Sequence, residues 1–320
     1  MLNRLAAYCS IRTDRIDALG ENRAHGTFKA TSLKSSPKLG TAPTVSDGGT
    51  AGREPSASVA TQRTHTKPCR LYGKLILHEE FLSFGRWTPS PQSQARSAAD
   101  VLLQSIDLAV EVERLGMDGA YFRVHHFAQQ LVSPFPLLAA VGAKTRKIEI
   151  GTAVIDMRYE NPHYMAEDAG AADLIAGGRL QLGISRGSRE QVIDGWRYFG
   201  YRPLESEDDA EMGRRHAEEL LELLRGKGFA KPHPRPMFPN PPGLLRLEPY
   251  SEGLHDRIWW GSASNATAAW AAKLGMNMQT STLKFDETGE PLHVQQSAQN
   301  SRLSRRLEGS RTQAHSAYFR

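Results

Sequence analysis

KIEIGTAVIDMRYENPHYMAEDAGAADLIAGGRLQLGIS, residues 147–185, decides the fold. Lys147–Ile155 is rich in isoleucine and valine and has the length of a buried strand. Tyr164–Ala176 follows at helical spacing and is closed by Gly177-Gly178, since glycine accepts the left-handed turn that ends a helix. Arg179–Ser185 is apolar again and reads as a second strand. A strand, a helix and a strand joined this closely form a parallel pair with a right-handed crossover.

The same alternation extends in both directions. Upstream, Leu75–Phe84 reads as a strand and Ser97–Leu115 as a helix closed by Gly116. Val101, Leu102, Ile106, Ala109, Val112 and Leu115 share one stripe of that helix. Gly119–Val124 is a short buried strand, and Pro134–Thr145 a helix of small residues opened by Ser133. Downstream come the helix Glu207–Leu224, the strand Arg257–Gly261, the helix Asn265–Leu274 and the strand Met276–Thr280. Between them, Phe229–Asp256 carries seven prolines in 28 residues. Proline lacks the N–H a ladder needs, so this stretch is expected to be an extended surface loop or a lid. Six strands are found, and the pattern fades after Leu283.

The 320-residue chain carries a net charge of +5, but unevenly. Residues 1–70 carry +6 and residues 297–320 carry +4, which leaves −5 for the part that reads as folded. An acidic body argues against a nucleic-acid interface, which needs a basic face. Both cysteines, Cys9 and Cys69, precede the barrel-like region, so no thiol chemistry is expected there. No apolar run approaches the ~18 residues of a membrane span, and Met1–Gly20 has no signal-like apolar stretch, so a cytoplasmic location is expected. Thr27–Thr66 is mostly Ser, Thr, Gly, Ala, Pro and Lys, which buries too little apolar surface to offset ordering. The expected organisation is a disordered arm over 1–70, a folded region over 71–295 and a polar, disordered tail over 296–320.

Residues just beyond each strand are the places to look for chemistry. After the second strand stand His125 and His126, whose side chains point to opposite faces of an extended segment; one can face a site while the other packs, and the two are poor joint metal ligands. After the third strand, Gly151–Ile155 is small enough for a flat ring to approach the backbone, or is ordinary packing. After the fourth comes Arg186 between small residues, suited to a phosphate or to a surface ion pair. After the fifth, Ser262-Ala263-Ser264-Asn265 enters a helix, where it can cap the free N–H groups or present them to a phosphate.

Taken together, these pieces resemble one family. GTAVI (Gly151–Ile155), ENPHYMAEDAGAADLIAGGRLQLGISRGS (Glu160–Ser188), YFG (Tyr198–Gly200), HHF (His125–Phe127) and SAS (Ser262–Ser264) are similar, in order, to the bacterial luciferase-like monooxygenases. The likeness covers roughly Leu75 to Gln295. It implies an α/β fold of the TIM (β/α)8 type, here incomplete at about six βα units, with open edges at the first and sixth strands. It also implies a flavoprotein oxidoreductase. Reduced FMN, supplied by a separate flavin reductase, would react with O2 to a C4a-hydroperoxyflavin that oxygenates a small organic substrate.

By the same resemblance, Arg186 and Ser262 would hold the FMN phosphate, helped by Asn265. Ala153 and Val154 would lie under the flavin ring, where relatives often have a cis non-proline peptide. Ser185 would face the flavin and His125 would act as general base. Trp87, Met157, Tyr159, Trp196 and Tyr198 are candidates for the substrate wall, or plain core. A homodimer is expected, and neither nucleic acid, membrane nor metal. Relatives often have a carboxylate where Val124 and Gly261 stand here. Two other readings remain open: a deazaflavin-dependent hydride-transfer oxidoreductase, and a truncated non-catalytic flavin-binding or partner subunit.

Overall fold

Among the described residues, eight strand segments and five α-helices occur in the order β1 Ala7–Ile11, β2 Leu77–Ser83, α1 Ala98–Arg114, β3 Gly119–Phe122, α2 Pro134–Lys144, β4 Glu149–Thr152, β5 Ile155–Asp156, α3 Pro162–Ile175, β6 Leu180–Ser185, α4 Asp209–Leu224, β7 Ile258–Ser262, α5 Asn265–Lys273 and β8 Asn277–Thr280, and from β2 onward they follow the expected alternation except that one strand is split. The computed structural model describes residues 7–11, 77–187, 191–262, 264–280, 290, 291 and 294. The domain boundary read near residue 70 and the tail read from residue 296 lie outside the described residues.

Neighbouring strands run in the order β1-β2-β3-β4-β6-β7-β8, with β5 also on β6. All pairs from β2 to β8 are parallel. Among the described residues the path stays open, as expected of an incomplete barrel. One edge departs from expectation. β2 does not end the sheet, because Ala7–Ile11, inside the segment read as a disordered arm, pairs with it antiparallel from Ala7↔Phe81 to Ile11↔Leu77. AYCSI contains neither glycine nor proline, and Tyr and Ile favour strands.

Capping fixes where the helices begin. Ser97 and Asp100 form a reciprocal capping box on α1, as do Asp208 and Glu211 on α4. Asn161 accepts from His163 and Tyr164 to open α3 two residues earlier than the apolar pattern suggests. On α1 the buried line is Val101, Ser105, Ala109 and Val112, whereas Leu102 and Leu115 of the expected stripe are exposed. The third strand, read as continuous over Lys147–Ile155, is instead divided into β4 and β5 at a cis peptide between Ala153 and Val154.

The two sheet faces differ in chemistry. Leu180, Leu182, Ile184 and Trp260 are fully buried in one apolar cluster that includes helix residues Leu138, Met165 and Leu220. The alternate positions of β6, Gln181, Gly183 and Ser185, point the other way and are small or polar, beside the larger Trp259 of β7 and Tyr121 of β3. Trp259 Nε1 donates to Gln181 Oε1 at 2.7 Å, and Gln279 Nε2 to the Thr152 carbonyl at 3.3 Å. A Cβ on Gly183 would lie 2.1 Å from that carbonyl oxygen and 2.8 Å from Gln279 Oε1. Only glycine lets the three chains meet there.

Two carboxylates fasten helices to strands. Asp173 of α3 is fully buried and accepts from Leu180 N–H at 3.0 Å, Ser251 Oγ at 2.6 Å and Arg257 Nη2 at 2.7 Å. It thereby draws the proline-rich excursion back onto the sheet just before β7. Gly170 makes room for that return, since a Cβ there would sit 2.1 Å from the Pro249 carbonyl oxygen. Glu113 of α1 accepts from the backbone N–H groups of Arg146, Lys147 and Ile148 at 2.7–3.2 Å, which sets the approach to β4. Partial burial opposes ionisation of Glu113, but the three N–H donors, with the charge of Arg179, outweigh it and hold its pKa below the ordinary value.

Asp173→Ala is expected to lower stability by about 3–5 kcal/mol, because it strands the Arg257 charge; urea unfolding measures it, and a loss under ~1 kcal/mol would mean Arg257 is satisfied elsewhere. Glu113→Ala should cost roughly 1–3 kcal/mol at neutral pH. A depressed carboxylate pKa contributes stability above the unfolded-state value and loses it as pH falls through the folded-state value. The gap between wild type and Glu113→Ala should therefore close in acid, and a gap independent of pH would reject the ionic role.

Candidate functional site

The C-terminal ends of β4, β6 and β7 converge on a small-residue floor. A Cβ on Gly261 would lie 3.0 Å from Val154 Cγ1 and 3.5 Å from Ser185 Cβ. Val154 and Ser185, assigned to the flavin by resemblance, therefore both border Gly261, and the cis peptide joins Val154 to Ala153. A larger residue at Gly261 would push Val154 aside. Arg186 and Ser262 each follow this contact by one residue on adjacent strands.

Arg186 is exposed, and no described residue is paired with its guanidinium. Ser262 is fully buried; its hydroxyl lies 2.8 Å from the Ser264 carbonyl oxygen and 2.9 Å from Thr267 Oγ1. Ser264 is the N-cap of α5 and accepts from Thr267 N–H. The Ser-Ala-Ser turn thus caps the helix, and Ser262 is committed to holding the turn. Asn265 begins α5, and its side chain lies outside the described residues. The site therefore offers a guanidinium and the first turn of a helix beside a floor of Val154, Ser185 and Gly261. Cationic donors around a flat, small-residue floor fit a planar ring that carries a phosphate.

Behind Arg186 lies an ion cluster that the sequence reading did not single out. Arg158 Nη2 is 2.6 Å from Asp156 Oδ2, and its Nη1 is 2.5 Å from Asp209 Oδ2. Burial works against the Arg158 charge, but Asp156 and then Asp209 outweigh it and raise its pKa further. Asp156 is buried at the end of β5, and Asp209 opens α4.

The candidate wall residues do not all come together. Tyr159 and Trp196 are both buried and pack with Met212. His126 stacks on Tyr159 at 4.2 Å, and Phe199 stands edge-on to both rings. Tyr198 is mostly exposed and meets Phe127 edge-on. Trp87 lies apart, packed against the main core, with its backbone N–H donating to the Gln129 carbonyl. Met157 has no exposed surface and belongs to the main core, its carbonyl 2.8 Å from His216 Nδ1. The two adjacent histidines do point apart: His125 Nε2 accepts from Arg123 Nε at 2.8 Å, while His126 joins the aromatic cluster. His126 and Phe199 are additions to the expected set. Their signal was present in HHF and YFG, but only the fold shows which ring of each motif packs.

Glu160 follows the Tyr159 turn and is half-buried. Burial, then repulsion by Asp156 and Asp168, push its pKa up to about 7. The aromatic cluster thus borders a carboxyl group that exchanges its proton near neutrality. Burial and then Glu160 raise the pKa of Tyr201 in turn.

Comparison with known proteins agrees with this fold. The protein y4wF of Sinorhizobium fredii is 32% identical over 190 residues, 58% of this chain and 51% of that one. The oxygenase component of a flavin-dependent trigonelline monooxygenase from Acinetobacter baylyi is 25% identical over 194 residues, 59% of this chain and 51% of that one. The chain spans about half the length of these curated relatives. The crystal structure of monooxygenase RslO1 from Streptomyces bottropensis shares the fold, with a TM-score of 0.55, 20% identity, and coverage of 71% of this chain and 65% of that one. The family model for luciferase-like monooxygenases matches residues 82–300, and the chain belongs to that family.

Proposed function

We propose that this chain is the oxygenase of a flavin-dependent monooxygenase, taking reduced FMN from a separate reductase and using O2 to oxygenate a small organic substrate. One observation carries the reading: Val154 and Ser185 both border Gly261, and Arg186 and the start of α5 follow them directly in the chain. A flavin-dependent relative whose name specifies an oxygenase component supports both the cofactor and the separate reductase. Reduced FMN, when bound, supplies the two electrons that activate O2 for transfer of one oxygen atom.

The chain's own residues then bind, orient and exclude water. Arg186 holds the phosphate through paired N–H donors, and the first turn of α5, with Asn265, adds its free N–H groups. Ser262 keeps that turn in place from beneath. Val154 and Ser185 support the ring. Tyr159, Trp196 and His126 offer aromatic surface on the side of the third strand. His125 is the proton-handling group. Its Nε2 accepts from Arg123, so the neutral ring carries its proton on Nδ1, and accepting a proton at Nε2 requires release from Arg123. Exposed Leu103 and Val110 on α1 suit a subunit contact in a homodimer. No described helix is long and apolar enough to cross a membrane.

Anaerobic titration of the full chain with reduced FMN, followed by quenching of its five tryptophans, tests the reading. Saturable binding is expected, and Arg186→Ala should weaken it at least about tenfold, the value of a hydrogen bond to a charged group. A chain that saturates with a reduced deazaflavin but not with FMN would instead support hydride transfer. Binding that is indifferent to Arg186→Ala would reject the phosphate site as drawn.

A further inference from the structure

We propose that Arg158 is a positioning residue for the phosphate-binding loop, acting through the backbone around Arg186 rather than by touching the flavin. The proposal rests on the reading of Arg186 given above. It deepens that reading by naming what holds the arginine at the site.

The argument starts from the close approaches around Arg158. Its guanidinium joins the end of β5, through Asp156, to the first residue of α4, through Asp209. The loop leaving β6 lies directly against this ion cluster. A Cβ on Gly187 would fall 2.0 Å from Asp156 Oδ2 and 2.3 Å from Arg158 Nη2, so the backbone rests on the cluster with no space between. Gly187 also has φ +82°, a conformation that glycine adopts without strain. Its N–H donates to Ser185 Oγ at 3.0 Å. On the far side, a Cβ on Gly213 of α4 would lie 3.2 Å from Arg158 Cγ and 3.3 Å from the Arg186 Cα. Arg186 thus lies between Gly187, which rests on the cluster, and Gly213 of α4, while its own side chain is exposed.

Arg158 cannot serve as the phosphate ligand itself. It is largely buried, and its donors are spent on two carboxylates. Its contribution is geometric: it balances the Asp156 charge beneath Gly187 and ties α4 to the loop. Without it, two carboxylates face each other beside a site meant for an anion, and the backbone that carries Arg186 loses its support.

A phosphate-dependent readout separates this role from general stability. Reduced FMN and reduced riboflavin differ only by the phosphate, so the ratio of their dissociation constants isolates the loop. Wild type should prefer FMN, and Arg186→Ala should abolish the preference. Arg158→Gln should raise the FMN constant roughly tenfold and leave that for riboflavin within about twofold. Arg158→Lys, which can keep one ion pair, should restore part of the preference. Asp209→Asn loosens only the partly exposed end of the cluster and serves if Arg158→Gln does not fold; it should lower the preference by a smaller factor. Loss of the preference in Arg186→Ala, with full preference kept in folded Arg158→Gln or in Asp209→Asn, would overturn the proposal and leave the phosphate site standing. Equal weakening for both flavins would also overturn it. A wild type without preference would remove the phosphate reading itself, and this proposal with it.

Discussion

A buried carboxylate, Asp173, constrains where β7 can lie. The chain leaves the sheet after α4 and wanders through a proline-rich stretch that supplies almost no ladder bonds of its own; Ala230 and Leu245 make an isolated bridge. Its return is fixed at Asp173, which receives a hydroxyl from the excursion, a guanidinium from the turn before β7 and an N–H from the start of β6. Burying a lone carboxylate would cost several kcal/mol. The arrangement holds because every donor is present, so the energetics favour a single placement of the returning chain. Ser262 and α5 follow from β7, and they inherit that placement.

Close packing of the strands then determines what kind of floor the site has. At Gly183 a β6 backbone position is shared with a β4 carbonyl and a β8 side chain, and at Gly261 a β7 position is filled from outside by Val154. Bulky branched side chains, which commonly fill such barrels, give way on β6 to glutamine, glycine and serine, beside the rings of Tyr121 and Trp259. The sheet is held across its interior by polar contacts such as Trp259 to Gln181 and Gln279 to Thr152. The apolar burial that drives folding lies on the other face, beneath the helices. This division lets the inner face stay small and polar without loss of the core.

Much of this was legible in the sequence because it depends on local pattern. The strand and helix texture from Leu75 to Thr280, the six parallel strands, and the sequence order of the site pieces all follow from periodicity, glycine stops and short motifs. Features decided by distant residues were not. The division of the third strand at Ala153 reflects backbone geometry, with no change in side-chain pattern to mark it. Leu102 and Leu115 obey the α1 period, yet burial depends on what packs opposite, and nothing among the described residues covers them. Asp156 and Arg158 are two positions apart and could be paired on sight, but Asp209 stands 51 residues beyond Arg158 and meets it only in the fold. The pairing of Ala7–Ile11 with β2 joins segments separated by a stretch that composition reads as unstructured.

The two arginines near the strand ends show how one charge type is divided between structure and binding. Arg158 is neutralised by Asp156 and Asp209, and it adds no net attraction for an anion. Arg186 stands outside that cluster and is exposed at the floor. The folded part of the sequence carries a net −5, which opposes the approach of a phosphate. Long-range charge is screened beyond about 8–10 Å in physiological salt, so the outcome at the floor depends on the nearest groups. Glu160, kept largely protonated below neutrality by burial and by repulsion from Asp156 and Asp168, adds little negative charge beside Asp156. As pH rises through about 7 this carboxyl ionises, and the charge around Asp156 grows more negative, which leaves the Arg158 guanidinium, shared with Asp209, to balance it.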